Sequence, residues 1–199
     1  MGEPALKNEG DFTYKDYVSW PDDERWEMVD GVPMAMAAPS VVHQRILMTL
    51  SIVFAAFLEG KACEVLVAPL DVLIPDGDED DDDIDTVVQP DIMVFCDRDK
   101  LLEKYARGAP ELVVEILSPS TSKWDQNDKF RRYERAGVRE YWVIDPLGRW
   151  LCVYASGPDG KFGKGDLYEV PWARKMVSST VLEGFSLDPA RIFAEKQLF

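Results

Sequence analysis

The sequence predicts an α/β fold, and three features carry that reading: a β-α-β unit between residues 111 and 145, a hairpin near the N-terminus, and a long amphipathic helix after it. In the β-α-β unit, residues 111–117 form an almost unbroken apolar run that Ser118-Pro119-Ser120 closes. Residues 125–136 follow with Phe130 and Tyr133 at helical spacing, Gly137 caps them, and residues 140–145 supply the second strand. A connection of this kind makes its two strands parallel with a right-handed crossover.

The hairpin spans residues 26–38 and turns at Asp30-Gly31, a pair suited to tight β-turns. Pro39-Ser40 ends it. From Val42 the positions Ile46, Leu47, Leu50, Val53, Phe54, Phe57 and Leu58 recur every three or four residues, which predicts a helix stopped by Gly60. Residues 63–74 and 87–95 are β-rich and are expected to pair as one hairpin with a long acidic loop, 76–86, between them. A short turn or helix is expected around residues 14–20, another helix over 97–107, and a strand over 150–155. The organisation is one domain over 1–199, with a core of about 20–155 and a C-terminal extension, 156–199, of short antiparallel strands ending in a helix.

With 199 residues, 46% of them hydrophobic, the chain can bury one sizeable core. No apolar run approaches the roughly 18 residues that a membrane span needs, and Met1-Gly2-Glu3-Pro4 lacks the pattern of a signal peptide, so a cytoplasmic protein with no membrane partner is expected. Cys63, Cys96 and Cys152, odd in number and widely spaced in apolar runs, are expected to be reduced, buried thiols, with no structural zinc. The formal charge of −15 opposes binding to a polyanion. Asp76, Asp78, Glu79, Asp80, Asp81, Asp82, Asp83 and Asp85 account for eight of those charges, and the rest of the chain remains at −7. That run is expected to be a solvated, mobile loop, because like charges repel.

Chemistry is expected at Asp91 and Glu115. An acid inside an apolar strand is costly to bury without a partner. If the two strands are neighbours, the carboxylates converge on one magnesium-like cation, which takes oxygen ligands and keeps several waters.

Pro90-Asp91 followed at a distance by Glu115 resembles the Pro-Asp...(Asp/Glu)-x-Lys nuclease superfamily. Glu27-x-Val29-Asp30-Gly31, His43, Gln89-Pro90-Asp91, the run Val114-Glu115-Ile116-Leu117-Ser118-Pro119-Ser120-Thr121, and the run from Gly137 to Asp145 resemble the bacterial Uma family of restriction endonucleases. The resemblance covers residues 27–145. It implies a restriction-endonuclease-like core, a central mixed β-sheet flanked by helices. It also implies hydrolysis of DNA phosphodiesters by a water activated on magnesium or manganese, with Asp91 and Glu115 as metal ligands. Leu117 stands where the superfamily's lysine would be. The resemblance places that lysine on the following helix, at Lys129, with Lys123 as the fallback. Glu27 and His43 are second-tier candidates, as metal or water ligands, acid-base groups or structural residues.

Residues 123–139 carry six basic side chains against three acidic ones, a local net charge of +3. Arg131, Arg132 and Arg135 on that helix are therefore the candidate nucleic-acid contacts, and dimerisation would join two such helices into one groove. Trp124 beside them is the one tryptophan placed to stack on a base. Other chemistries fit poorly. Asp83 stands where a calcium loop needs glycine, the glycines from Gly157 to Gly165 miss the phosphate-loop pattern and suit a hairpin loop, and no Gly-x-Ser-x-Gly turn exists. The leading expectation is a metal-dependent DNA endonuclease. The competing one is a catalytically inactive nuclease fold that binds protein or nucleic acid, its acidic run engaging basic partners.

Overall fold

A six-stranded mixed sheet forms the centre of the structure, a computed structural model that describes residues 11–21, 24–118 and 124–194. The chain begins with one helical turn, α1 (Tyr14–Tyr17), and the expected hairpin, β1 (Trp26–Val29) and β2 (Val32–Ala35). Its turn holds Asp30 and Gly31 at φ of 50° and 72°, the left-handed pair that matches strand twist. Helix α2 (Val41–Leu58) follows, then strands β3 (Glu64–Val67), β4 (Val72–Leu73), β5 (Val87–Val88), β6 (Ile92–Phe95), β7 (Ala106–Arg107) and β8 (Leu112–Ile116). A π-helical turn, Trp124–Lys129, runs into α3 (Phe130–Arg135). The rest is β9 (Glu140–Asp145), β10 (Trp150–Ala155), β11 (Asp166–Glu169), β12 (Val177–Ser178), β13 (Ser186–Leu187) and α4 (Pro189–Ile192).

The large sheet has the order β11-β10-β9-β8-β6-β3, and within it only β8 and β9 run parallel, as the β-α-β reading requires. A second sheet, β2-β1-β5-β4-β7, packs beside it. The chain passes between the two at Pro69 and again at Pro90, residues without an N–H to continue a ladder. The single long hairpin expected over 63–95 is therefore divided: β3 pairs with β6 in the large sheet, while β4 pairs with β5 in the small one.

Alternation along the strands sorts the core into two layers. Ile92, Val94, Leu112, Val114, Ile116 and Trp142 face α2, whose Ile46, Leu50, Phe54 and Leu58 cover them. Each such side chain removed from water contributes about 2 kcal/mol. Met93, Phe95, Val113, Tyr141 and Val143 face α3 and the small sheet. The C-terminal extension belongs to the core: Leu182, Phe185, Leu187 and Ile192 pack into the α2 layer. A fully buried carboxylate, Glu140, holds it there, accepting from Trp142 Nε1 at 2.6 Å, from Thr180 N at 2.6 Å and from Thr180 Oγ1 at 2.7 Å.

Several expectations are corrected. Cys63 and Cys96 form a disulfide, because they extend the β3–β6 register to directly opposed positions that the 33-residue separation conceals; Cys152 is free and buried. Residues 97–107 hold a 3-10 turn, Arg98–Lys100, and strand β7 rather than a helix, since the Ala106 N–H bonds to Asp71 O at the small sheet's edge at 2.8 Å. Helix α2 has 18 residues of mean hydropathy 1.7, so one segment does reach the length and composition of a membrane span; here its inner face covers the sheet.

The acidic loop is clasped rather than merely solvated. Arg132 and Arg135 both pair with Asp76, Arg107 Nε lies 2.7 Å from Asp81, and Tyr105 donates to Asp81. Ile84 is fully buried beneath it. These partners come from distant parts of the chain, which a local charge count does not reveal.

Two predictions follow from these contacts. Glu140→Ala leaves several buried donors without an acceptor and is expected to lower stability by about 3 kcal/mol, measured by urea unfolding, with Glu140→Gln losing less. The second concerns pH. The hydrogen bond from Tyr105, then the Arg107 guanidinium, hold the Asp81 carboxyl below the usual aspartate range against an opposing burial effect, while Asp81 pushes Tyr105 up to about 12. A lowered folded pKa means that this clasp contributes fully above an aspartate's ordinary value of ~3.9 and is lost as pH falls through the lower folded value. NMR titration of Asp81 is expected to show its midpoint rising in Tyr105→Phe.

Candidate active site

The site forms where β6 and β8 lie side by side and the crossover to α3 leaves β8. Ile92 pairs with Val114, so the next step in the antiparallel register sets Asp91 directly opposite Glu115. Pro90 interrupts the ladder one residue earlier, so Asp91 immediately precedes β6 rather than sitting inside it. Asp91 Oδ2 accepts the Ile116 N–H at 2.8 Å and lies 3.1 Å from His43 Nε2. His43 comes from the first turn of α2, where Ser40 caps the helix and accepts the His43 N–H at 3.2 Å. The other ring nitrogen of His43, Nδ1, is buried without a hydrogen-bond partner among the described residues.

Glu115 Oε1 accepts from Lys129 Nζ at 2.9 Å and from the Tyr133 hydroxyl at 2.8 Å. Lys129 and Tyr133 are four residues apart on one helical face, which is why both reach the same carboxylate. Lys129 Nζ also lies 2.7 Å from Glu27, whose Oε1 accepts the Gln89 N–H at 2.7 Å. Glu27, Glu115 and Lys129 are 0%, 3% and 1% exposed, so this is an interior ion cluster and not a surface salt bridge.

Among the described residues, Asp91, Glu115 and Glu27 bring three carboxylates to the neighbourhood of the Lys129 ammonium. The donor set suits a hard divalent ion: two carboxylates on adjacent strands, with Asp91 Oδ1 lacking a donor among the described residues and the cleft holding ≈ 70 Å³ of free space. No group of three or more His, Cys, Asp or Glu converges as a cage among the described residues, so an ion here would be held by one or two carboxylates and waters.

Asp91, Glu115, Lys129 and His43 thus come together around one cleft, with Glu27 buried behind Lys129. Lys123 lies outside the described residues, as does the side chain of Trp124. The basic face expected on α3 does not form as read. Arg132 is 1% exposed, its guanidinium bound to Asp76 and to the Ile74 carbonyl, so it ties helix to loop and is not open to a phosphate. Arg135 is exposed but pairs with Asp30 and Asp76. Arg131 is exposed, with no ion pair among the described residues.

Sequence reasoning missed Tyr133 as a site residue, though its spacing from Lys129 would have placed it there. It also missed Arg25 and Gln89. Arg25 is exposed, lines the cleft, and donates from Nε at 3.1 Å and Nη2 at 2.6 Å to Gln89 Oε1. Gln89 was visible only as part of the Gln89-Pro90-Asp91 motif; a lone arginine before a strand gave no signal.

Comparison with known proteins agrees with this architecture. The chain is 31% identical over 150 residues to the uncharacterized protein slr1290 of Synechocystis sp., covering 73% of this chain and 75% of that one. A second Synechocystis protein, sll1609, also uncharacterized, is 26% identical over 125 residues, covering 61% and 67% of the two chains. A crystal structure from Anabaena variabilis, titled a putative nuclease belonging to DUF820, superposes with a TM-score of 0.72 at 19% identity over 92% of this chain and 97% of that one, which establishes a shared fold. The Uma2 family model, described as "Putative restriction endonuclease", matches residues 14–190, and the chain belongs to that family.

Proposed function

We propose that the chain is a divalent-metal-dependent endonuclease acting on DNA, with Asp91 and Glu115 holding magnesium or manganese. The observation that carries this reading is the pair of opposed carboxylates at the cleft, with the Lys129 ammonium beside them. Membership of a restriction-endonuclease family supports the reaction class. A divalent ion bound there supplies Lewis-acid polarisation of a phosphoryl oxygen and lowers the pKa of a bound water.

The chain's own residues do the rest. The Ile116 N–H and His43 fix Asp91 at the cleft wall. Lys129 and Tyr133 fix the orientation of the Glu115 carboxylate through two hydrogen bonds to Oε1. Lys129 also lines the cleft, so its charge offsets negative charge developing on a phosphate in transit. Glu27 holds Lys129 from behind and is a positioning residue.

Cleavage of DNA with magnesium or manganese is expected for the wild type, and Asp91→Ala and Glu115→Ala are each expected to lose at least about 100-fold, as when one strong electrostatic contact is removed from a transition state. Equal rates in all three proteins would remove these residues from the mechanism. Lys129 needs a two-part test because it also holds the fold. Lys129→Met leaves two buried carboxylates facing each other and is expected to cost about 3–5 kcal/mol of stability. Adding Glu27→Gln to it is expected to restore most of that stability in urea unfolding while cleavage stays lost; recovery of cleavage would make Lys129 purely structural.

A further inference from the structure

Arg25 lies between two cavities. One is the metal cleft; the other is a hollow of ≈ 360 Å³ lined by Tyr17, Trp20, Trp26, Asp71 and Gln89. The second is well above the ≈ 70 Å³ of the cleft and within the range of small-ligand pockets, about 300–1,000 Å³. Its walls are aromatic: Trp20 meets Tyr17 at 5.3 Å and 56°, and Trp26 at 5.5 Å and 65°, so these rings are tilted against one another rather than stacked flat. Its polar groups are organised. Asp71 Oδ1 accepts from the Tyr17 hydroxyl at 2.8 Å and from Gln89 Nε2 at 2.8 Å, and its other oxygen has no donor among the described residues. Burial, then the charge of Asp71, raise the Tyr17 phenol well above its ordinary value, so it remains a donor at neutral pH.

Gln89 joins the two cavities. Its amide nitrogen binds Asp71 and Tyr17, which aims its oxygen at Arg25. Its backbone N–H binds Glu27, which in turn holds Lys129. Arg25 itself has no carboxylate partner among the described residues, unlike Arg107, Arg132 and Arg135. An exposed, oriented guanidinium without an acid is suited to a phosphate.

We propose that Arg25 clamps a backbone phosphate beside the metal cleft and that the aromatic hollow takes the unstacked base of the same nucleotide. The strand at the site is then single-stranded or locally opened. Aromatic faces stack on any base, and the Asp71 carboxylate accepts from a base N–H such as the cytosine amino group. A base within a duplex cannot enter a hollow of this kind without leaving the stack. The inference rests on the nuclease reading for the identity of the polymer and narrows its substrate to a particular form of it.

The test is binding without cleavage. Anisotropy of a labelled oligodeoxynucleotide is followed in EDTA at low salt, as a single strand and as the blunt duplex of the same sequence. The single strand is expected to bind about tenfold tighter than the duplex, a difference of ~1.4 kcal/mol and within the stacking of one base. Arg25→Gln is expected to weaken it about tenfold and to reduce the salt slope by about one. Trp20→Ala is expected to weaken the single strand about tenfold and leave duplex binding unchanged. Trp20→Leu, which keeps apolar packing against Phe12 and Tyr17, is expected to do the same, which separates stacking from misfolding. Duplex binding equal to or tighter than single-strand binding, or wild-type affinity in Arg25→Gln, overturns the proposal. Because no cleavage is read, those outcomes leave the metal site to be judged by Asp91→Ala and Glu115→Ala alone.

Discussion

One buried ammonium organises this molecule. Lys129 binds Glu115 from the large sheet and Glu27 from the small one, so a single side chain joins both sheets to the helix that follows β8. Such a cluster is a poor way to gain stability, since apolar side chains of the same volume commonly do as well or better. Its place beside a cleft suits a positioning role: it holds the Glu115 carboxylate in a fixed orientation where water is scarce. The packing of the two sheets and the pairing of β6 with β8 are the conditions under which that ammonium can reach both acids.

The carboxylates were legible in the sequence because each breaks a strong local pattern. Glu115 is a charge within Leu112, Val113, Val114 and Ile116, and Asp91 follows a proline at the head of an apolar run. The β-α-β unit was legible for a related reason, since its periods and caps lie within 35 residues of one another. Lys129 had no such signal. On its own it is one more helix lysine, and only the family resemblance directed attention to it. Glu27 becomes intelligible once the small sheet is in place, because its partner is 102 residues away.

What the sequence hid was partnership across long separations. Helical spacing shows which residues share a face of α3 but not that Arg132 turns inward to the Ile74 carbonyl and Asp76. Two cysteines in apolar runs read as thiols until the strands beside them pair in register. The two prolines at 69 and 90 were visible, yet their effect, dividing one hairpin between two sheets, depends on where the second sheet packs. In each case the local signal was present and the deciding contact was tertiary.

The acidic loop and the basic helix, read separately, suggested a loop free for basic partners and a helix free for phosphate. The structure pairs much of one with the other. Asp76 meets Arg132 and Arg135, and Asp81 meets Arg107, so much of the positive charge near the site is already neutralised within the chain. A protein of net charge −15 organised in this way draws little from long-range attraction to a polyanion. On the proposed reading, recognition comes from short-range contacts at the cleft: a metal at the carboxylates, the Arg25 guanidinium, which has no carboxylate partner among the described residues, and an aromatic surface on which a base would stack. That combination favours a strand whose bases are accessible over one recognised by its backbone charge alone.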